Sequence, residues 1–202
     1  MTDIPAVPSQ RAEDAAALLF HTLAAHRANI ARIAVRHRPP RLPKQTFSRD
    51  QLQCQATLLR LISITEAFCG DRLVDEVESL IEPNRHTAVG AVWDQAAISA
   101  TSSWSDQKRA LKDWLGVKLT NAQWKPVDDL VEARNSIAHG LGTLTRRQLR
   151  KKQAVVAALE AAQITLSSTN QIELTDAALE TAARQCRLLI ISLDNGIQHR
   201  EE

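Results

Sequence analysis

The stretch from Asp128 to Gly142, DDLVEARNSIAHGLG, brings together a permanent cation, an amide and an imidazole in Arg134, Asn135 and His139. Cleavage of an RNA phosphodiester needs a base for the 2′-hydroxyl, charge stabilisation on the phosphorane and a proton for the leaving oxygen. The imidazole of His139 could serve as base or acid. Arg134 can make a bidentate contact with non-bridging phosphate oxygens. Asn135 could hydrogen-bond phosphate or hold His139 in one tautomer. The competing reading of the same residues is structural, with Arg134 in an internal salt bridge and His139 capping a helix. No metal is needed for this chemistry. The sequence provides no His-Glu-x-x-His, no paired cysteines and no tight acidic cluster on this face. Asp128, Asp129 and Glu132 read as charge balance for Arg134 or as residues suited to a helix N-terminal half.

These side chains require an amphipathic helix to position them. Val127, Leu130, Val131, Arg134 and Ala138 recur at the three-and-four spacing of one helical face. The helix begins around residues 122 to 126 and ends where Gly140 and Gly142 permit a left-handed termination. Asn135 lies one turn before His139, with Arg134 beside it. On this pattern Arg134 falls on the apolar stripe, where a guanidinium must be paired, face an interface, or line a cavity that meets an anion. The run Arg146-Arg147-Gln148-Leu149-Arg150-Lys151-Lys152 follows, with five basic residues in seven positions. Arg146, Arg147, Arg150, Lys151 and Lys152 are candidate contacts to an RNA backbone, or equally a solvated helix face.

The rest of the chain frames this region. Its 202 residues suffice for one substantial core, and a 44% hydrophobic fraction with 6 Gly and 7 Pro points to a folded, helix-rich protein. A formal charge of +2 and a pI near 8.6 do not by themselves establish a nucleic-acid partner. The odd, scattered Cys54, Cys69 and Cys186 suit reduced thiols rather than a disulfide framework or a zinc site. With no signal pattern at the N-terminus and no apolar run of membrane-spanning length, the expectation is a soluble, cytoplasmic protein without membrane contact.

In chain order, residues 1 to 10 read as a loose arm. A helix over Arg11 to His37 carries Ala15, Leu18, Leu19, Leu23, Ile30 and Ile33 on its stripe, and Pro39, Pro40 and Pro43 form a stiff connector. Ser48 caps a long helix from about Arg49 through Cys69 and on toward Ile81, with Gly70 a point of kinking. Its buried side is read as Leu52, Ala56, Leu59, Ile62, Ile64, Ala67 and Phe68. Glu66, amid those apolar residues, is a second candidate buried charge, the alternative being a solvated edge position. Residues 84 to 120 are less regular, with a short capped helix from Ser105 to Leu115. Trp104, Trp114 and Trp124 read as core rather than base-stacking residues, since no basic residues alternate with them. An Ala-rich helix covers 153 to 162. Ile164 to Leu174 suits two short strands around a Ser-Ser-Thr-Asn turn, and Thr175 caps a last helix that frays after Asn195-Gly196.

Arg134-Asn135-Ser136-Ile137-Ala138-His139-Gly140 resembles the R-N-x-x-x-H signature of HEPN domains, the higher-eukaryote and prokaryote nucleotide-binding superfamily. It is most similar to the RiboL-PSP-like branch, in which glycine follows the histidine. The helix order around the motif fits over residues 11 to 195, leaving 196 to 202 as a tail. The resemblance implies an all-α HEPN-type bundle that forms a homodimer, bringing two motifs together in a composite, metal-independent endoribonuclease site without a cofactor. Arg134 and His139 would then be catalytic and Asn135 the supporting polar residue. It further implies toxin-antitoxin or antiphage-defence settings, with an antitoxin or defence protein as partner. Leu141 departs from the HEPN toxins that are neutralised on a tyrosine two residues after the histidine, and the chain contains no tyrosine.

Overall fold

The computed structural model describes residues 7–35, 48–81 and 86–199. Among these the order is α1 (Gln10–Val35), α2 (Arg49–Ile81), α3 (Thr87–Thr101), α4 (Trp104–Leu115), α5 (Asn121–Gly140), α6 (Arg146–Leu149), α7 (Lys152–Ala161), β1 (Thr165–Leu166), β2 (Ile172–Glu173) and α8 (Asp176–Gln198). The fold is all-α with one small hairpin. The proline connector, residues 1–6 of the expected arm, the side chain of Ile33 and residues 200–202 of the expected tail lie outside the described residues.

The core is built where α1, α2 and α8 pack pairwise against one another, with α5 laid across α2 and α8. On α1 the buried positions are Ala12, Ala16, Leu19, Leu23 and His26, so Leu18, expected inside, is 41% exposed. On α2 Ile62, Ile64 and Phe68 of the expected stripe are buried and Leu59 is partly so, but Leu52 is 52% exposed, Ala56 and Ala67 are exposed, and the buried set also takes in Cys54, Leu58, Leu61, Thr65, Cys69 and Leu73. This helix is central and buried on more than one side, which a single-stripe pattern cannot describe. Thr57 and Thr65 enter the core because each hydroxyl donates to the carbonyl one turn back, Gln53 and Leu61 respectively. Gly70 does not break α2, which runs unbroken to Ile81. Residues 87–115 are also more regular than expected, forming two helices separated at Ser102 and Ser103, the latter capping α4 through Asp106 N–H.

The ends of the described chain are tied together. Asp194 on α8 is fully buried and accepts hydrogen bonds from Ser9 N–H and Ser9 Oγ, each 2.7 Å, and from Gln198 Nε2 at 2.9 Å. Ser9 is therefore anchored, unlike the loose arm expected for residues 1 to 10. The expected fraying after Gly196 is also corrected: α8 continues to Gln198, with Ile197 buried and Gly196 lying against Val117 and Leu119.

His26 is a buried titratable group at the junction of α1 and α2. Thr57 Oγ1 donates to Gln53 O and lies 2.9 Å from His26 Nδ1, so the ring donates from Nδ1 and is neutral at Nε2, which faces Cys54 Sγ at 3.9 Å. Burial lowers its pKa; Asp176 opposes this and Arg27 adds to it. The unfolded chain therefore takes up a proton at His26 before the folded chain does. Stability should fall as pH drops below about 6.5, the ordinary histidine value. Urea midpoints at pH 7 and 5.5 measure the loss, and His26→Gln should flatten it.

Burial disfavours the thiolate form of the cysteines in this fold. Cys54, Cys69 and Cys186 are free and buried. Burial raises all three thiols, Cys186 to about 11.

Candidate functional site

α5 begins at Thr120, which forms a reciprocal capping box with Gln123. Its buried face is Trp124, Val127, Leu130, Ala133, Ser136 and Ile137. Val127 and Leu130 of the expected stripe are thus buried and Val131 packs partly buried against the core. Ala138 is exposed, and Arg134 flanks the buried face with its side chain 33% exposed. Arg134 is not a cation stranded on an apolar stripe, so no partner subunit is required to explain it.

The side chains of Arg134, Asn135 and His139 instead line one cleft of about 1320 Å³ between α2, the α3–α4 junction, α5 and α6. Arg134 Nη2 reaches Glu66 Oε2 on α2 at 3.3 Å, and Arg134 Nη1 donates to Asn135 Oδ1 at 3.2 Å. Glu66 is accordingly the partnered charge, not a solvated edge residue. Burial pushes its carboxyl above the ordinary value, and the Arg134 charge and hydrogen bond pull back part of that shift. His139 is exposed and its ring has no hydrogen-bond partner among the described residues, so it neither caps α5 nor rests on Asn135. Asp128, Asp129 and Glu132 do not balance Arg134: they pair with Lys108, Lys125 and Lys151.

The α6 wall of the cleft, beside the motif, is set by Gln148, only 3% exposed. Ser136 Oγ donates to Gln148 Oε1 at 2.9 Å, while Gln148 Nε2 donates to Glu132 O at 2.8 Å and Glu132 Oε2 at 2.9 Å. Thr145 closes a second capping box with Gln148, which starts α6. These bonds fix the basic run against α5 and divide it. Arg147 and Lys151 line the cleft; Arg146, Arg150 and Lys152 are exposed and do not line it. Burial raises the Glu132 carboxyl, but hydrogen bonds from Lys151 and Gln148 and the charges of Lys151 and Arg147 outweigh it and hold the group below its ordinary value. Sequence reasoning missed Glu66 as the Arg134 partner, Gln148 as the brace, and the Lys108–Asp128 pair. The Thr145-x-x-Gln148 spacing was a usable signal for the brace; the other two join distant segments and leave no local trace.

Of the tryptophans expected in the core, Trp124 is 9% exposed and Trp114 is 42% exposed, packed edge-on against Trp93. Trp104 stands edge-on to Trp124, lines the cleft, and donates from Nε1 to Asp128 at 2.7 Å.

The expected left-handed termination of α5 falls on Leu141, not on a glycine at that step: Leu141 has φ 52° and Gly142 has φ 86°. The Gly142 N–H bonds Ser136 O at 3.2 Å, and Gly142 O accepts from Ile172 N at 2.8 Å, so the hairpin clamps the segment leaving the motif. Leu141 is 78% exposed and recovers little burial for its strained backbone. Leu141→Gly should therefore stabilise the fold by about 1 kcal/mol, read as a higher thermal midpoint.

No protein-family model, curated protein or solved structure matches the chain. No helix among the described residues is long and apolar enough to cross a membrane.

Proposed function

We propose that the protein is a metal-independent endoribonuclease of the HEPN type, acting in a toxin or antiphage-defence setting and working as a homodimer whose motifs form a composite site. The observation that supports it is the convergence of Arg134, Asn135 and His139, with Arg147 and Lys151, on a single open cleft. His139, unpartnered and accessible, takes the proton of the 2′-hydroxyl or supplies one to the leaving oxygen. Arg134, steadied by Glu66 and Asn135, offers its guanidinium to the non-bridging oxygens as charge builds on the phosphorane. Arg147 and Lys151 draw the polyanion toward the motif. The product is a 2′,3′-cyclic phosphate end. Purified protein incubated with cellular RNA in EDTA tests this: fragmentation supports it, and intact RNA opposes it.

A second reading, a non-catalytic HEPN module that binds RNA, nucleotide or a partner protein, is favoured by the charge pairing in the cleft. Arg134, Lys108 and Lys151 are each already held by a carboxylate. Under it, His139→Ala leaves RNA binding unchanged and there is no cleavage to lose.

A further inference from the structure

The Arg134 guanidinium grips two partners on two elements. Nη2 reaches Glu66 Oε2 on α2 at 3.3 Å, and Nη1 donates to Asn135 Oδ1 on α5 at 3.2 Å. Asn135 stands one helical turn before His139, so those two side chains share a face of α5. The cation is therefore flanked by a carboxylate on one side and by the face that carries the imidazole on the other. All four residues line the same cleft.

The carboxylate is open to a reacting hydroxyl. The Glu66 side chain is 17% exposed, its Oε2 takes the single long bond from Arg134, and its Oε1 accepts no hydrogen bond among the described residues and is not sealed from solvent. The lysines of the cleft do not compete for it, since Lys108 on α4 bonds Asp128 and Lys151 bonds Glu132, the carboxylate on which the Arg147 charge also acts. The groups of α2 and α8 that feel its charge are the thiols of Cys69 and Cys186, which burial keeps protonated. Burial raises the affinity of Glu66 itself for a proton, which makes it a stronger base than a solvated carboxylate.

We propose that Glu66 is the general base of this cleft, which leaves His139 the general acid. With a phosphate on Arg134, the Glu66 carboxylate takes the proton of the 2′-hydroxyl as O2′ bonds to phosphorus. The protonated imidazole of His139 gives its proton to the 5′-oxygen as the P–O5′ bond breaks. The products are a 2′,3′-cyclic phosphate and a 5′-hydroxyl, and exchange with water returns Glu66 and His139 to their starting forms. The inference rests on the ribonuclease reading and assigns its two proton transfers.

The test is the initial rate of cleavage of a fluorophore-quencher RNA of randomised sequence in EDTA, followed across pH for wild type, Glu66→Gln and Glu66→Asp. Thermal midpoints confirm that each variant is folded. The wild-type rate should rise with pH on the acid side as Glu66 loses its proton. Glu66→Gln keeps an acceptor oxygen for Arg134 but takes no proton, so its rate should fall by about 10²- to 10⁴-fold and the acid-side rise should vanish. Glu66→Asp retains a carboxylate, set back by one methylene, and should cleave faster than Glu66→Gln with the rise preserved. A residue that only steadies Arg134 gives a different result: Glu66→Gln near the wild-type rate with the rise intact, which overturns the inference and leaves the ribonuclease reading standing. Glu66→Asp no faster than Glu66→Gln overturns it as well. No cleavage by wild type overturns the inference and the ribonuclease reading together.

Discussion

His139→Ala should reduce RNA cleavage by about 10²- to 10⁴-fold, the usual contribution of a positioned acid or base. Stability should be untouched. The imidazole is exposed and bonded to nothing among the described residues, and α5 is terminated by backbone bonds to Ser136 O without it. Surface substitutions away from caps and networks usually fall within about 0.5 kcal/mol. Equal thermal midpoints for wild type and variant, beside a collapse in rate, separate a chemical role from a structural one. A variant that retains full cleavage removes His139 from the reaction. Arg134 will not separate as cleanly, because its loss also strands the half-buried Glu66 carboxylate.

Asp194→Ala should be the most damaging single change to the fold, costing about 3–5 kcal/mol as a buried hydrogen-bonded carboxylate is removed. Three donors lose their acceptor: Ser9 N–H, Ser9 Oγ and Gln198 Nε2. Arg72, with Nε 3.4 Å from Asp194 and its side chain 13% exposed, keeps Glu76 but loses its second countercharge. For a chain of this size the thermal midpoint should drop by about 10 °C. Asp194→Asn keeps an acceptor oxygen and should lose much less. A midpoint within about 2 °C of wild type for Asp194→Ala would show that the closure of α1 on α8 contributes little.

The elements whose cues are local were legible. Ser105 to Leu115, Thr175 onward and the strands around Ser167 to Asn170 carry caps, periodicity and turn residues within a few positions, and α4, α8 and the hairpin follow them closely. The apolar periodicity of α8 matches its buried face of Ala178, Leu179, Ala182, Cys186, Leu189, Ile190 and Leu193. Face assignment failed where a helix meets several neighbours. α2 is covered by α1, α8, α4 and α5, so its buried set mixes threonine, glutamine and cysteine with leucine. On α5 the expected Val127, Leu130 and Val131 do meet the core, but Ala138 is exposed and the buried face continues through Ala133 and Ile137, which leaves Arg134 beside that face, paired with Glu66.

The site was legible as a motif and not as a cleft. Arg134, Asn135 and His139 are close in sequence and share a helix end, so their grouping needed only helical geometry. What surrounds them comes from α2 and α4, tens of residues away. The pairing of Glu66 with Arg134 and the placing of Gln107 and Asp71 in the cleft lining depend on how those helices cross, which no local pattern encodes. The basic run illustrates the same limit. Five cations in seven positions look uniform in sequence, and the anchoring of Gln148 to α5, with the Lys151–Glu132 pair, accompanies the facing of Arg147 and Lys151 into the cleft.

The most direct measurement is the chemistry of the RNA ends left by purified wild-type protein in EDTA. Fragments ending in 2′,3′-cyclic phosphate, absent with His139→Ala at equal fold stability, are the predicted result. Fragments with 3′-hydroxyl ends, or the same fragments from wild type and variant, would contradict a 2′-hydroxyl attack served by His139.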